Sequence, residues 1–268
     1  MDETSRPRRS LEDIREPIRR MVRIAELAVL RMPVPQTPAR RAADAQRYWS
    51  AKDGDRWGSD SHVRGEVPGW EQIGLHHREM YADFARTIGV VPQGARVLEW
   101  GAGGGANAVA FAPMAEEFIA VDVSRPSLEE CGRQVAAVCD TTYTPVLVGV
   151  DSPEDALAEV QSGVDLFLCL YVLEVLPSKG HVQRVMEVAA QLLRPGGSAM
   201  VQIKSQTGSL LTWPRTWNYE RQVSAMTSFP IHEFWELSGR WGLTPHSVRL
   251  VPRNELDERY AYFFLTRS

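Results

Sequence analysis

The sequence predicts an α/β protein: a doubly wound, mostly parallel seven-stranded sheet with a C-terminal antiparallel hairpin and helical N-terminal additions. Three observations carry this expectation. From Arg96 onward, short apolar runs alternate with stretches of helical periodicity, the pattern of β-α-β units in a parallel sheet. The run VDLFLCLY, Val164 to Tyr171, is apolar almost throughout, as a strand covered on both faces must be. The last two apolar runs, Thr244 to Val251 and Tyr260 to Thr266, are joined by a charged turn with no helix between them. They are therefore expected to pair antiparallel.

The bulk composition bounds the problem. The 268 residues suit one large domain or a domain with an appendage. Apolar residues make up 44% and charged residues 24%, so the chain can bury an ordinary core. A net charge of −4 gives no general attraction to nucleic acid. No apolar run approaches the length of a membrane span. The first apolar stretch is broken by Arg15, Arg19, Arg20 and Arg23, unlike a secretory signal. Cys131, Cys139 and Cys169 lack metal-ligand spacing, so no metal site is expected and a reduced, cytoplasmic setting fits.

In order, residues 1–41 read as a basic N-terminal helix and linker, with ten arginines against six acids. The helix spans Leu11 to Arg31, and Pro33, Pro35 and Pro38 form the linker. Such a basic amphipathic helix can touch a membrane surface or a partner, or pack on its own domain or on a second subunit, which leaves a homodimer open. Residues 42–268 form the main domain. Its helices are expected at Ala42–Ala51, Leu75–Ile88, Asn107–Met114, Ser127–Val138, Val182–Leu193 and Glu233–Trp241, with another running from the loop Asp151–Glu154 through Val160. The fourth carries a Ser127…Glu130 capping box, and Gly242 closes the last. Strands are expected at Arg96–Leu98, Phe118–Val121, Pro145–Val150, Val164–Tyr171 and Ser198–Ile203, followed by the terminal pair. Two irregular, tryptophan-bearing segments, about 42–75 and 204–230, read as lids over a ligand.

The chemistry concentrates between Arg96 and Ser124. Gly101, Gly103, Gly104 and Gly105 follow a strand and precede a helix. Glycines let a backbone turn sharply and meet a ligand closely. The helix start beyond them offers free N–H groups. Asp122, about 20 residues on, can accept hydrogen bonds from a ribose diol. This is a nucleotide-binding signal. On its own it fits a dinucleotide as well as other nucleosides.

The flanking residues narrow it. Glu99-Trp100-Gly101-Ala102-Gly103-Gly104, Asp122, Asp151 after the third strand, VDLFLCLYVLEVLP (Val164–Pro177) and LLRPGGSAMVQ (Leu192–Gln202) occur in one order. Together with the closing hairpin, they resemble the class I S-adenosylmethionine-dependent methyltransferases over about residues 90–268. The resemblance implies S-adenosyl-L-methionine as cofactor, held by Glu99, Gly101, Ala102, Gly103, Asp122, Val123, Asp151, Ser152, Leu170 and Tyr171. Glu99 would stand near the methionine ammonium, Asp122 at the ribose hydroxyls and Asp151 at the adenine amine. In one place the chain departs from the pattern. Many members carry a histidine after the glutamate of the Leu-Glu motif, and here Leu173-Glu174 is followed by Val175. No general base is carried over at that position. His77 is the favoured base among the remaining histidines.

The acceptor is read from the aromatic segments. Trp57, Lys204, Trp213 and Trp217 are the candidate acceptor contacts, and the aromatic residues suit a flat, partly apolar small molecule. The expected activity is methyl transfer to an oxygen or nitrogen of such a molecule, for instance a secondary metabolite or a sugar. The rival classes are an NAD-dependent oxidoreductase using the same glycine turn and a non-catalytic cofactor-binding scaffold.

Overall fold

The computed structural model describes residues 21–23, 25, 36–50, 72–90, 94–251 and 259–268. Seven strands form one sheet: β1 (Ala95–Trp100), β2 (Ala115–Asp122), β3 (Thr142–Leu147), β4 (Val164–Cys169), β5 (Leu193–Lys204), β6 (Leu243–Leu250) and β7 (Tyr260–Arg267). Their order is β3-β2-β1-β4-β5-β7-β6. The first five pair in parallel. β7 runs antiparallel to both β5 and β6. The expected terminal hairpin is present, with its second strand tucked inside the sheet and β6 at the edge. β1 and β4 each have five of six residues buried, as their apolar runs require.

Eight α-helices are described: α1 (Pro38–Trp49), α2 (Ile73–Ile88), α3 (Ala108–Phe111), α4 (Arg125–Val138), α5 (Ala156–Glu159), α6 (Lys179–Leu192), α7 (Tyr219–Gln222) and α8 (Ile231–Arg240). Strand residues alternate faces, and this splits the core in two. Leu98 and Phe167 pack with Val182, Val185 and Met186 of α6 and with Phe234 of α8. Their chain neighbours Val97 and Leu168 pack on the other face with Met80, Tyr81 and Phe84 of α2 and with Leu128 and Val135 of α4. Helices thus cover both faces of the sheet.

Several element boundaries differ from expectation, each for a local reason. Pro38 does not belong to a linker. It is the first residue of α1, where its fixed φ suits a helix start, and Thr37 caps the helix by accepting from Arg40 N at 3.2 Å. The expected division at residue 41 therefore falls inside a helix. Arg41 is buried, and its Nε donates to Pro177 O at 2.8 Å, so this segment belongs to the main body. α4 is capped by Ser124, which accepts from Ser127 N at 3.3 Å. The Ser127…Glu130 box does not form, because Glu130 bonds Arg133 and Gln134 instead. β3 starts at Thr142 and stops at Leu147; Val148 N still donates to Asp122 O of β2 at 3.0 Å, and the chain then turns through Gly149. β4 stops at Cys169 because Tyr171 turns the chain out of the sheet in a left-handed conformation, φ 59°. Of the expected helix at Leu11–Arg31, Met21–Arg23 and Ala25 are helical, and the rest lies outside the described residues.

Candidate active site

The strand order reverses direction between β1 and β4, and open α/β sheets bind ligands at the carboxyl ends of strands at such a point. A cavity lies there. Its walls come from the turn after β1 (Glu99 to Asn107), Asp122 and Val123 after β2, Val148 to Val150 after β3, and Leu170 to Val172 after β4. It encloses about 1080 Å³ of empty space with its open mouth included.

The glycine turn is built by close approach. Gly101 sits at φ 74°, and a side chain there would place its Cβ 2.3 Å from Val172 Cγ2. Gly101 N and Ala102 N both donate to Val121 O, at 2.7 and 3.2 Å, latching the turn onto β2. The Asp122 carboxylate holds the same turn from the other side. It accepts from Gly103 N at 2.9 Å and from Ser124 N at 2.8 Å. Burial raises its pKa, and those amide bonds oppose the rise.

Glu99 is 1% exposed. Its Oε1 accepts from Asn107 Nδ2 at 2.7 Å, and its Oε2 has no partner. Burial pushes its carboxyl up to about 8, the Asn107 bond opposes this, and the Asp122 charge adds to it. A buried carboxyl with one open oxygen at a cavity wall is poised for a cation.

From Asn107 a hydrogen-bonded chain runs through the core to the far wall. Asn107 Oδ1 meets His77 Nδ1 at 2.7 Å, His77 Nε2 meets the Tyr262 hydroxyl at 3.3 Å, and Tyr262 meets the Tyr171 hydroxyl at 3.2 Å. With Asn107 Nδ2 committed to Glu99, its Oδ1 must accept from His77, which places the His77 proton on Nδ1. Burial lowers the His77 pKa to about 4, so the ring is neutral and Nε2 accepts from Tyr262.

The structure sorts the expected site residues. Glu99, Gly101, Ala102, Gly103, Asp122, Val123, Leu170 and Tyr171 line one cavity. His77 does not line it and is fully buried. It lies on the core-facing stripe of α2 with Gly74, Met80, Tyr81 and Phe84, so it serves the interior network rather than acting as a base at the cavity wall. Asp151 and Ser152 also stand outside the lining. β3 ends early, and Val148 to Val150 take the wall instead. The Asp151 side chain is 69% exposed, with His181 Nε2 at 3.1 Å and Arg184 Nη1 at 3.6 Å. Lys204 does not face the cavity. Its Nζ donates to Ser224 O at 2.9 Å and lies 5.6 Å from the centre of the Tyr260 ring. Trp213 is exposed and Trp217 is half-buried, and neither lines the cavity. Trp57 lies outside the described residues.

Two other aromatic residues do line the cavity. Trp49 of α1 and Tyr219 of α7 line the cavity beside Val123 and Val150. Trp49 Nε1 donates to the Tyr219 hydroxyl at 2.7 Å, which donates to Val175 O at 2.8 Å. Gln46 Oε1 accepts from Val150 N at 2.7 Å and pins α1 over the third-strand loop. Sequence reasoning places Trp49 and Tyr219 in the two aromatic segments but does not select them. It misses Asn107 and Gln46, whose partners lie on other elements.

The class of domain follows. Residues 98–199 match the family model described as a methyltransferase domain. Similar curated sequences include the ubiquinone biosynthesis O-methyltransferase of Xanthomonas axonopodis pv. citri, 31% identical over 116 residues, 43% of this chain and 46% of that protein. The match thus spans less than half the length of such relatives. Among solved structures, 1,6-didemethyltoxoflavin-N1-methyltransferase of Burkholderia thailandensis, with its substrate and S-adenosylhomocysteine bound, superposes with a TM-score of 0.63 at 19% identity, covering 88% of this chain and 92% of that one. Magnesium protoporphyrin IX methyltransferase of Synechocystis PCC 6803, with S-adenosylhomocysteine bound, gives a TM-score of 0.61 at 14% identity, covering 84% and 99%. At these identities the likeness concerns the fold. No helix among the described residues is long and apolar enough to cross a membrane.

Proposed function

We propose that the protein transfers a methyl group from S-adenosyl-L-methionine to an oxygen or nitrogen atom of a small molecule. The observation that carries this is the open Oε2 of buried Glu99 beside the glycine turn. The residues present fit the cofactor. Glu99 supplies a counter-charge for an ammonium. The turn at Gly101–Gly103 allows close backbone approach, and Asp122 stands beside it to meet a diol. Val123, Val148 and Val150 give an apolar slot for a flat base, with Trp49 and Tyr219 beside it. When bound, the cofactor supplies a methyl group on a positively charged sulfonium. The chain's part is to hold the acceptor in line and exclude water. Leu170, Tyr171 and Val172 form the wall for that task.

The relatives' printed names cover a ubiquinone-pathway O-methyltransferase and an N-methyltransferase acting on 1,6-didemethyltoxoflavin, which supports a small, flat acceptor. The net charge of −4 favours such an acceptor over nucleic acid. Three unpaired cysteines suit a cytoplasmic setting. Calorimetry with S-adenosylhomocysteine and with NADH tests the cofactor assignment. Micromolar binding of S-adenosylhomocysteine and none of NADH is expected, and the reverse result overturns it.

A further inference from the structure

We propose that His77 is a positioning residue of the cofactor site: through Asn107 its ring follows the charge on Glu99 and changes tautomer when the cofactor's ammonium is seated. This rests on the methyl-transfer reading above. Glu99, Asn107 and Tyr171 line the cavity, whereas His77 and Tyr262, which join them, are both 0% exposed. A buried chain thus starts at the wall by the glycine turn, passes through the core and returns to the wall at Tyr171. Every link is a hydrogen bond. Glu99 Oε1 meets Asn107 Nδ2 at 2.7 Å, and Asn107 Oδ1 meets His77 Nδ1 at 2.7 Å. His77 Nε2 meets the Tyr262 hydroxyl at 3.3 Å, and that hydroxyl meets the Tyr171 hydroxyl at 3.2 Å.

The direction of such a chain is set at its charged end. A carboxylate only accepts, an amide side chain has one accepting and one donating atom, and a neutral imidazole has one of each. When Glu99 is ionised, Asn107 Nδ2 must donate to it. Asn107 Oδ1 then accepts from His77 Nδ1, His77 Nε2 accepts from Tyr262, and Tyr262 takes the Tyr171 proton. Any further partner of the Tyr171 hydroxyl can then only donate to it.

With Glu99 protonated the order reverses. Its Oε2 has no partner, so an acid proton held there is unsatisfied, at a cost of about 1–3 kcal/mol. On Oε1 the proton faces Asn107, and a half-turn of the amide brings Oδ1 round to accept it. Such a half-turn exchanges oxygen and nitrogen in the same space, because the terminal torsion of asparagine is roughly two-fold. Asn107 Nδ2 then donates to His77 Nδ1, the ring donates from Nε2 to Tyr262, and Tyr262 turns its own proton toward Tyr171. Passing from this order to the first sends one proton from Glu99 to solvent and moves the ring proton from Nε2 to Nδ1. No other group gains or loses one.

The surroundings leave Glu99 as the group that drives the change. Facing its carboxyl are Asp122 at the end of β2, Tyr143 on β3, Cys131 on α4 and Cys169 on β4. Burial raises both thiols and the phenol, so all three stay neutral. The Asp122 carboxylate is held by Gly103 N and Ser124 N. The His77 ring is faced by Asn107, Tyr171, Tyr262 and its neighbour His76. Burial lifts Glu99 to about 8 and lowers His77 to about 4. Between those values the ring is neutral, and both tautomers are open to it. An ammonium set against Oε2 favours the carboxylate. The cofactor therefore selects the Nδ1 tautomer at a pH where the free chain holds the other.

The test is ring-nitrogen NMR on the isotope-labelled full chain, with the His77 signals assigned through its own backbone. A bare ring nitrogen and an N–H nitrogen resonate far apart, so the spectrum reads the tautomer directly. In the free chain the His77 proton should sit on Nε2 at about pH 6 and move to Nδ1 by about pH 9, following Glu99. Saturating S-adenosylhomocysteine should place it on Nδ1 already at about pH 6. Glu99→Gln, which cannot ionise, should keep one tautomer across that range. A wild-type ring with the same tautomer at both pH values and with S-adenosylhomocysteine overturns the proposal and assigns His77 to packing alone. A tautomer change that persists in Glu99→Gln also overturns it, because another group then drives the ring. A ring that follows pH as expected, in a chain that binds no S-adenosylhomocysteine, upholds the link to Glu99. That result overturns the methyl-transfer reading and the cofactor's part in the proposal with it.

Discussion

Replacing Glu99 by Gln should stabilise the unliganded fold while weakening the cofactor site, and both effects should follow pH. The carboxyl is 1% exposed, one of its oxygens is unpartnered, and burial lifts it from the ordinary 4.5 to about 8. Because the folded value lies above the unfolded one, the folded chain holds an extra proton between them. Stability is then lost as pH rises through that interval. At about 1.4 kcal/mol per pH unit, the gap sets a ceiling of about 5 kcal/mol on the loss, complete above pH 8. Glutamine keeps the shape and the bond to Asn107 but cannot ionise. Its advantage over the wild type should be about 2 kcal/mol near pH 6 and should grow toward that ceiling by about pH 9. Urea melts of both chains without cofactor, at several pH values, measure this directly. Calorimetry on the same proteins should show S-adenosylhomocysteine affinity rising with pH in the wild type and flat in the variant, because an ammonium partner draws the proton off Glu99. A stability difference independent of pH, or a variant less stable than wild type above pH 8, would refute the burial argument.

Two further substitutions probe the turn and a third serves as their control. Asp122→Asn keeps the shape but replaces one acceptor oxygen by a donor facing Gly103 N or Ser124 N. Affinity for S-adenosylhomocysteine should fall at least tenfold by calorimetry. Asp151→Asn, whose side chain is 69% exposed outside the cavity, should change the same affinity by less than threefold. Gly101→Ala combines φ 74° with a Cβ 2.3 Å from Val172 Cγ2. A loss of about 2–4 kcal/mol is expected in urea melts.

The fold was legible because its signals are local. Strands such as Val164–Cys169 must be apolar on both faces to lie inside a doubly covered sheet, and a helix-free charged turn leaves an antiparallel pair little alternative. The glycine turn was legible because Gly101, Gly103, Gly104 and Gly105 cluster within five positions, although the contact that requires glycine at 101 comes from distant Val172. Boundaries were less legible. Ser124 and Ser127 are equally good caps in isolation, and only the bond between Asp122 and Ser124 N, with Arg125 and Pro126 in the first turn, selects the earlier one.

The site divides along the same line. By itself the sequence determined the sheet, its order of elements, the glycine turn and the acidic residues at Glu99 and Asp122, because each is marked by residue type at a fixed place in the strand–turn–helix–strand pattern. Tertiary structure alone decided which side chains reach the cavity. His77 looked like a base, but it lies on the inward stripe of α2 and completes a chain from Asn107 to Tyr171. Asp151 looked like a cofactor ligand, but β3 ends early, and its exposed side chain lies beside His181 and Arg184. Trp49 and Tyr219, 170 residues apart, meet over the cavity through one hydrogen bond. Side-chain direction and long-range pairing depend on how helices rotate against the sheet, and no single stretch of chain encodes that rotation.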